Sequence, residues 1–356
     1  VKSSTKIAAV VAVVIVAAGV VGYEVYSSTA PSSACAAMTP TQASPSQPAD
    51  PAAGPLGAAA HSAISSSAPA HSLHPAATDG VIQVVAAENF WGSLMSQLGG
   101  NHTSVLSIVT DPNADPHEYQ VNSSDAIAIS NAQLVIVNGV GYDDWALQLI
   151  AADDNPNQVV LNVGTLNGVS VTGGIVTGNP HMWYNPVYVN NSVAAMYSDL
   201  VTIQPQSTSY FQANYAALNV SLGQLYGRAA EIRSQFAGTE VASTESIFVY
   251  LANYTHLDLV SPPAFMEAIA EGNDPPAQSV VQFQCQLESG KVSVLVYNEQ
   301  TVTPITSNMK AIAAENNVTV VGVTETIQPP DVPFQVWMNA EYLQLENALN
   351  SKALGQ

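Results

Sequence analysis

The chain has 356 residues, with 27 Asp or Glu against 7 Lys or Arg, a formal net charge of -20. So few cations exclude a nucleic-acid surface, because phosphate binding draws on Lys and Arg clusters. Only 10% of residues are charged while 47% are apolar, so cores are plentiful and the surface must rest on Ser, Thr, Asn and Gln. One physical reading of such a surface is an acidic habitat, where fewer ionised groups are useful. The length allows two domains once an N-terminal tail is set aside.

Lys2 and Lys6 flank an apolar run from Ile7 to Tyr23. A basic flank followed by such a run is the layout of a secretory signal or a short membrane anchor, and it implies export. Cys35, in Ser32-Ser-Ala-Cys35, resembles a bacterial lipoprotein box in which Ser32 stands where Leu is usual. Residues 24–79 are rich in Ala, Ser and Pro and bury too little apolar area to offset chain entropy, so they read as a tether. Its histidines, His61, His71 and His74, read as solvated. The two cysteines are too few for a disulfide framework and are expected not to pair; Cys285, on an amphipathic stretch, reads as a small buried hydrophobe.

From Val81 the pattern alternates. Strands are expected at 81–87, 104–109, 132–138 and 159–162, with helices at 90–98, 123–130 and from Asp143. A long helical pattern follows from Pro186 to Phe236, broken near Pro205. Strands then recur at 240–243, 292–297 and 318–323, with helices at 248–254, 277–288, 304–316 and 336–350. Strands alternating with helices imply parallel β-α-β units, hence an α/β protein of two lobes joined by a long helix. The expected division is 80–200 for the N-terminal lobe, 201–239 for the linking helix and 240–356 for the C-terminal lobe. Ligands of such sheets sit at the carboxyl ends of strands, and a cleft between lobes suits a small ligand.

No phosphate loop, nucleophile elbow, CxxC or HExxH motif is present in the sequence. What remains is a sparse set of metal-competent residues in loops after strands. His117 lies in Asp111-Pro-Asn-Ala-Asp-Pro-His117-Glu-Tyr-Gln120, and His181 in Gly178-Asn-Pro-His181-Met-Trp-Tyr-Asn-Pro186. A preceding Pro fixes the backbone and lowers the cost of ordering a ligand. Imidazole is the commonest transition-metal ligand. Glu245 and Glu325 follow the strands that end near Ser243 and Val323. His102 and His256 read as turn or helix-end residues, and Trp91, Trp145 and Trp337 as packing anchors. Trp183 is expected to pack under the loop of His181.

With these positions in place, residues 81–350 resemble the zinc/manganese-type metal-binding proteins of ABC importers. Asp-Pro-His117-Glu-Tyr is similar to that family's first-ligand loop, and Asn179-Pro-His181-Met-Trp183 to its second, with Asn179 where Asp is usual. Glu245-Ser-Ile-Phe-Val-Tyr250 is similar to the segment of the third ligand, and Val321-Gly-Val-Thr-Glu325 to that of the fourth, commonly Asp. Glu271-Gly-Asn-Asp-Pro-Pro276 and Val296-Tyr-Asn-Glu-Gln-Thr301 also resemble family segments. The resemblance implies a monomeric extracytoplasmic protein attached to the membrane. It would carry Mn2+ or Zn2+, with Fe2+ a third candidate, to an ABC permease, using His117, His181, Glu245 and Glu325 in the interlobe cleft. It also implies lobes joined by a rigid helix, with small closure motions. Glu245 in place of His tilts the metal towards manganese, as does the lack of any His between residues 118 and 180. Two other readings stay open: a zinc hydrolase with Glu118 as base, and a surface adhesin.

Overall fold

The computed structural model describes residues 80–354 apart from 114–115, 154, 170, 173–174 and 177. The N-terminal apolar run, the tether and Cys35 lie outside the described residues. Two four-stranded sheets organise the rest. In the first, β1 (Ile82–Glu88) pairs in parallel with β2 (Thr103–Val109) and β3 (Leu134–Val137), and β3 pairs in parallel with β4 (Val159–Asn162). In the second, β7 (Glu240–Ser243) pairs in parallel with β8 (Asp258–Leu259) and β9 (Val294–Asn298), and β9 with β10 (Thr319–Val323). The spatial orders are β2-β1-β3-β4 and β10-β9-β7-β8. Reading each lobe from its own first strand gives the same order, although the two halves share no sequence repeat.

Central strands such as β3, Leu-Val-Ile-Val, are apolar at every position because helices cover both faces of a parallel sheet. In the first lobe these are α1 (Asn89–Gly99), α2 (Ser123–Asn131), α3 (Asp144–Asp153) and a single turn, α4 (Val163–Leu166). α2 begins at a capping box: Asn122 accepts from the N3 backbone, and Asp125 reaches back to the Asn122 N–H. A two-stranded hairpin, β5 (Val171–Thr172) with β6 (Ile175–Val176), leads into α5 (Pro186–Ile203). Asn185 caps α5, and Pro186 occupies its first turn, where the missing N–H costs nothing.

Gln204 to Ser207 break the helical run, and the 29-residue α6 (Thr208–Phe236) crosses to the second lobe. There α7 (Val249–Thr255), α8 (Pro263–Ala270), α9 (Ala277–Glu288) and α10 (Pro304–Glu315) flank the sheet, and α11 (Phe334–Leu354) closes the chain. Among the described residues no helix is long and apolar enough to cross a membrane.

One apolar cluster runs through both lobes. It joins Ile82, Trp91 and Leu134 of the first lobe to Leu222 and Ile232 of α6, Val294 and Val321 of the second sheet, and Trp337 and Leu345 of α11. Smaller clusters fill the far faces of each sheet. Polar contacts repeat the connection: Phe334 N–H donates to Ser93 Oγ, and Ile327 N–H to Asn89 Oδ1. A boundary sealed by shared core resists large rigid-body motion.

Two expectations need correction or extension. Cys285 is half-buried and disulfide-bonded, not the unpaired buried thiol anticipated; the one other cysteine of the sequence, Cys35, lies outside the described residues. The elements α4, β5, β6 and β8, of four residues or fewer, are too short to establish a periodicity, and the pattern missed them along with the eight-residue α8.

Candidate metal centre

The carboxyl ends of both sheets face one cleft. His117 enters it from a 3-10 turn (Pro116–Glu118) that follows β2. His181 precedes another 3-10 turn (Met182–Tyr184) at the entry to α5. Glu245 follows β7 and Glu325 follows β10. The structure brings these four predicted residues together. His117 Nε2 lies 3.3 Å from Glu325 Oε2; His181 Nε2 lies 3.3 Å from Glu245 Oε1 and 3.7 Å from Glu325 Oε2. Donor atoms of His117, His181 and Glu325 all fall within 4.8 Å of one another. His181, Glu245 and Glu325 are fully buried, and the His117 side chain is 20% exposed.

The orientation of His181 is set by its neighbours. Asn179 Oδ1 accepts from the His181 backbone N–H at 2.9 Å and lies 2.7 Å from Nδ1, while Asn179 Nδ2 donates to the Ser246 carbonyl of the other lobe at 2.6 Å. With the amide fixed in this way, the neutral ring carries its proton on Nδ1 and presents a lone pair at Nε2. That lone pair is buried, has no hydrogen-bond partner, and points at two carboxylates. A buried nitrogen lone pair converging with two carboxylate oxygens makes a strongly electron-rich pocket, which a cation relieves. The donor chemistry therefore fits a divalent ion.

Asn298, at the end of β9, ties the acids together. Its Nδ2 donates to Glu245 Oε2 at 2.7 Å and to Glu325 Oε1 at 2.6 Å. From the first lobe, the Tyr142 hydroxyl donates to Glu325 Oε2 at 2.8 Å. Gln300 Oε1 accepts from the backbone N–H groups of Glu325 and Thr326 at 2.7 and 2.9 Å and so fixes that loop. Burial raises the Glu245 carboxyl above the ordinary carboxylate value, an effect that His181 partly offsets and Glu325 reinforces. Burial acts the same way on Glu325, but when the rings of His117 and His181 carry a proton towards it their charge outweighs burial and holds its carboxyl well below the ordinary range.

Sequence reasoning passed over Asn298 and Tyr142. The signal for Asn298 was its place at the end of a strand, inside Val296-Tyr-Asn-Glu-Gln-Thr301; for Tyr142, the Gly139 and Gly141 beside it. Trp183 packs edge-on against His181 with ring centroids 5.2 Å apart. Trp91 and Trp337 are buried, their indole N–H groups donating to Asn138 Oδ1 and Thr324 Oγ1. His102 sits in a turn against Gln204, and His256 ends α7 with a left-handed backbone. Glu118 is exposed and lines a cavity of about 810 Å³ at the cleft mouth, together with Asp111, Asn273, Gln300 and Thr303.

The profile of the family described as "ZnuA: Zinc-uptake complex component A periplasmic" matches residues 84–348. The chain belongs to this family. It is a family of metal-binding transporter components, not of enzymes. Among curated relatives, the chain is 28% identical over 146 residues to the "Manganese-binding lipoprotein MntA" of Halalkalibacterium halodurans, covering 40% of this chain and 47% of that protein. It is 23% identical over 201 residues to the "Iron-binding protein YfeA" of Yersinia pestis, covering 54% and 63%. These alignments span less than two thirds of either relative. The periplasmic zinc-binding protein TroA of Treponema pallidum superposes with a TM-score of 0.63 at 13% identity, covering 77% of this chain and 99% of that one. That likeness agrees with the two-lobe α/β fold.

Proposed function

We propose that this protein is the extracytoplasmic solute-binding component of an ABC importer. It would capture one divalent transition-metal ion with His117, His181, Glu245 and Glu325 and deliver it to a membrane permease as a monomer. The observation that carries this is the buried, partnerless Nε2 of His181 facing two carboxylates. Family membership and the manganese-, iron- and zinc-binding names of the relatives support it. The lipoprotein relative and the basic-then-apolar N-terminus support export and attachment to the membrane.

Two carboxylates neutralise the double charge of the ion, which favours its transfer from water into a buried cleft. A set of two imidazoles and two carboxylates is harder than a thiolate site and suits Mn2+, while zinc and iron remain chemically competent competitors. Four protein ligands leave little room for the bound water that hydrolysis needs, and exposed Glu118 stands at the rim, so we assign no enzymatic step.

The test is elemental analysis of protein purified without added metal, followed by titration with Mn2+ and Zn2+. We expect one ion per chain and a thermal shift equivalent to about 2.7 kcal/mol at a hundredfold excess over Kd. His181→Ala should abolish both, and Glu245→His should move the preference towards zinc in a competitive titration. A chain that holds no metal and whose melting temperature ignores both ions would overturn the proposal. An unchanged preference in Glu245→His would remove the manganese argument alone.

A further inference from the structure

A second pair of acids lies behind the first lobe's half of the site and belongs to no ligand set. Glu88 ends β1 and is fully buried, and neither of its carboxyl oxygens has a hydrogen-bond partner. The group it meets is the carboxyl of Asp143, equally buried. Asp143 is itself well held, accepting from the backbone N–H of Asn138 and, at 2.7 Å, from that of Gly139.

Those two bonds close the loop of residues 138–143, which is under strain. Gly139, Val140 and Gly141 have φ of 77°, 60° and 81°. A β-branched residue at such an angle is an outlier that surrounding structure must enforce. The same loop supports the metal centre twice. Tyr142 donates to Glu325 Oε2, and Asn138 Nδ2 donates at 2.9 Å to the Pro180 carbonyl, one residue before His181.

Two ionised carboxylates offer only acceptors and cannot bond; one proton between them converts repulsion into a charge-assisted hydrogen bond. No basic group stands within ion-pair distance of either acid among the described residues. The other titratable groups nearby are Asp144 at the start of α3, which adds negative charge, and Tyr142 beside it; β1, β3 and α1 contribute none besides Glu88. A proton is thus the available countercharge.

We propose that Glu88 and Asp143 share one proton and act as a positioning pair, holding the 138–143 loop so that Tyr142 and the His181 segment keep metal-binding geometry. This rests on the four-ligand site proposed above. It gives metal capture an upper pH limit, distinct from the lower limit set by protonation of the ligands. Loss of the shared proton places two like charges in one buried space and drives the loop away from Glu325.

The experiment is titration of the full chain with Mn2+ at steps from about pH 5.5 to about pH 8.5, for the wild type, Glu88→Gln and Glu88→Leu. Gln donates an N–H to Asp143 and does not titrate. Glu88→Gln should therefore bind within a few-fold of wild type at the acidic end and lack the wild type's loss of affinity at the alkaline end. Glu88→Leu should bind about ten- to a hundredfold more weakly throughout, the usual scale for groups that orient ligands. The infrared difference spectrum of metal-free wild type minus Glu88→Gln, which cancels the background from other buried acids such as Asp199 and Glu341, should show a protonated-carboxyl component. If Glu88→Gln keeps the wild-type pH profile, or the wild-type-minus-Glu88→Gln infrared difference spectrum shows no protonated-carboxyl component, the proposal is wrong. If Glu88→Leu does not fold, the Gln variant and the infrared band still decide. A wild type that binds no Mn2+ at any pH would sink the site reading, while the band would test the acid pair on its own.

Discussion

At the scale of single residues, the site is defined by what surrounds the ligands as much as by the ligands. His181 is a nitrogen donor because Asn179 takes its other nitrogen, and Glu245 and Glu325 stay close because Asn298 lends both of them one amide. Removing that amide leaves two buried carboxylates facing each other with fewer donors, so the free site reorganises and binding must first restore it. Asn298→Ala should lower Mn2+ affinity by about ten- to a hundredfold, since ligand-orienting groups typically carry that much. Isothermal titration at neutral pH checks this, and unchanged affinity would show that the acids need no bridge. Asn179 serves the same end without adding charge: its amide spans the lobes from His181 to the Ser246 carbonyl.

At the scale of elements, the loop between β3 and α3 is where backbone cost and function meet. Gly139 sits at φ 77°, and a Cβ there would lie 2.5 Å from Asn162 Oδ1, which itself accepts from the Thr165 N–H. Gly139→Ala should destabilise the fold by about 1–2 kcal/mol from the left-handed backbone alone. It should also weaken metal binding, because Tyr142 rides on the same loop. Gly238→Ala is the control: φ is 79° there, but nothing lies within 4 Å of the added Cβ, so it should cost stability and leave affinity intact. Urea unfolding paired with Mn2+ titration separates the two variants. The longer elements of this fold were legible in the sequence because their patterns repeat over enough residues, as in Phe90 to Leu98 or Val318 to Val323. The loop's role was not legible, since two glycines around a valine announce a turn without saying what the turn presents.

At the scale of the whole molecule, buried acids set how stability follows pH. Burial raises the carboxyls of Asp143 and Asp199 to about 6 and that of Glu341 to about 7, and holds Glu88 well above the ordinary value. Between the unfolded carboxylate pKa and these values, the folded chain keeps protons that the unfolded chain has released. Stability therefore rises as pH falls through this window and is lost as pH climbs back through it. Glu325 has the opposite sign, its lowered pKa withdrawing stability only below the ordinary carboxylate range. The metal-free protein should melt at a higher temperature near pH 5 than near pH 7.5 in calorimetry, a window of about two and a half pH units. Added Mn2+ should raise the melting temperature less at the acidic end, because protons compete for its ligands. A metal-free melting temperature that falls steadily as pH is lowered from about 7.5 to about 5 would contradict both this account and the acidic-habitat reading of the composition.

The sequence by itself determined the alternation of strands and helices, the break near Pro205 and the four residues at strand ends, because periodicity and Pro-His loops are local signals. It also carried the family resemblance, which rests on short motifs of the same kind. Only the tertiary structure decided that His181 Nε2 lacks a partner, that Asn298 and Tyr142 reach the acids, that Glu88 meets Asp143 across 55 positions, and that Cys285 is disulfide-bonded. Each of these is a contact between residues far apart in the chain. Chain spacing constrains such contacts weakly; the packing of two sheets around one shared core fixes them.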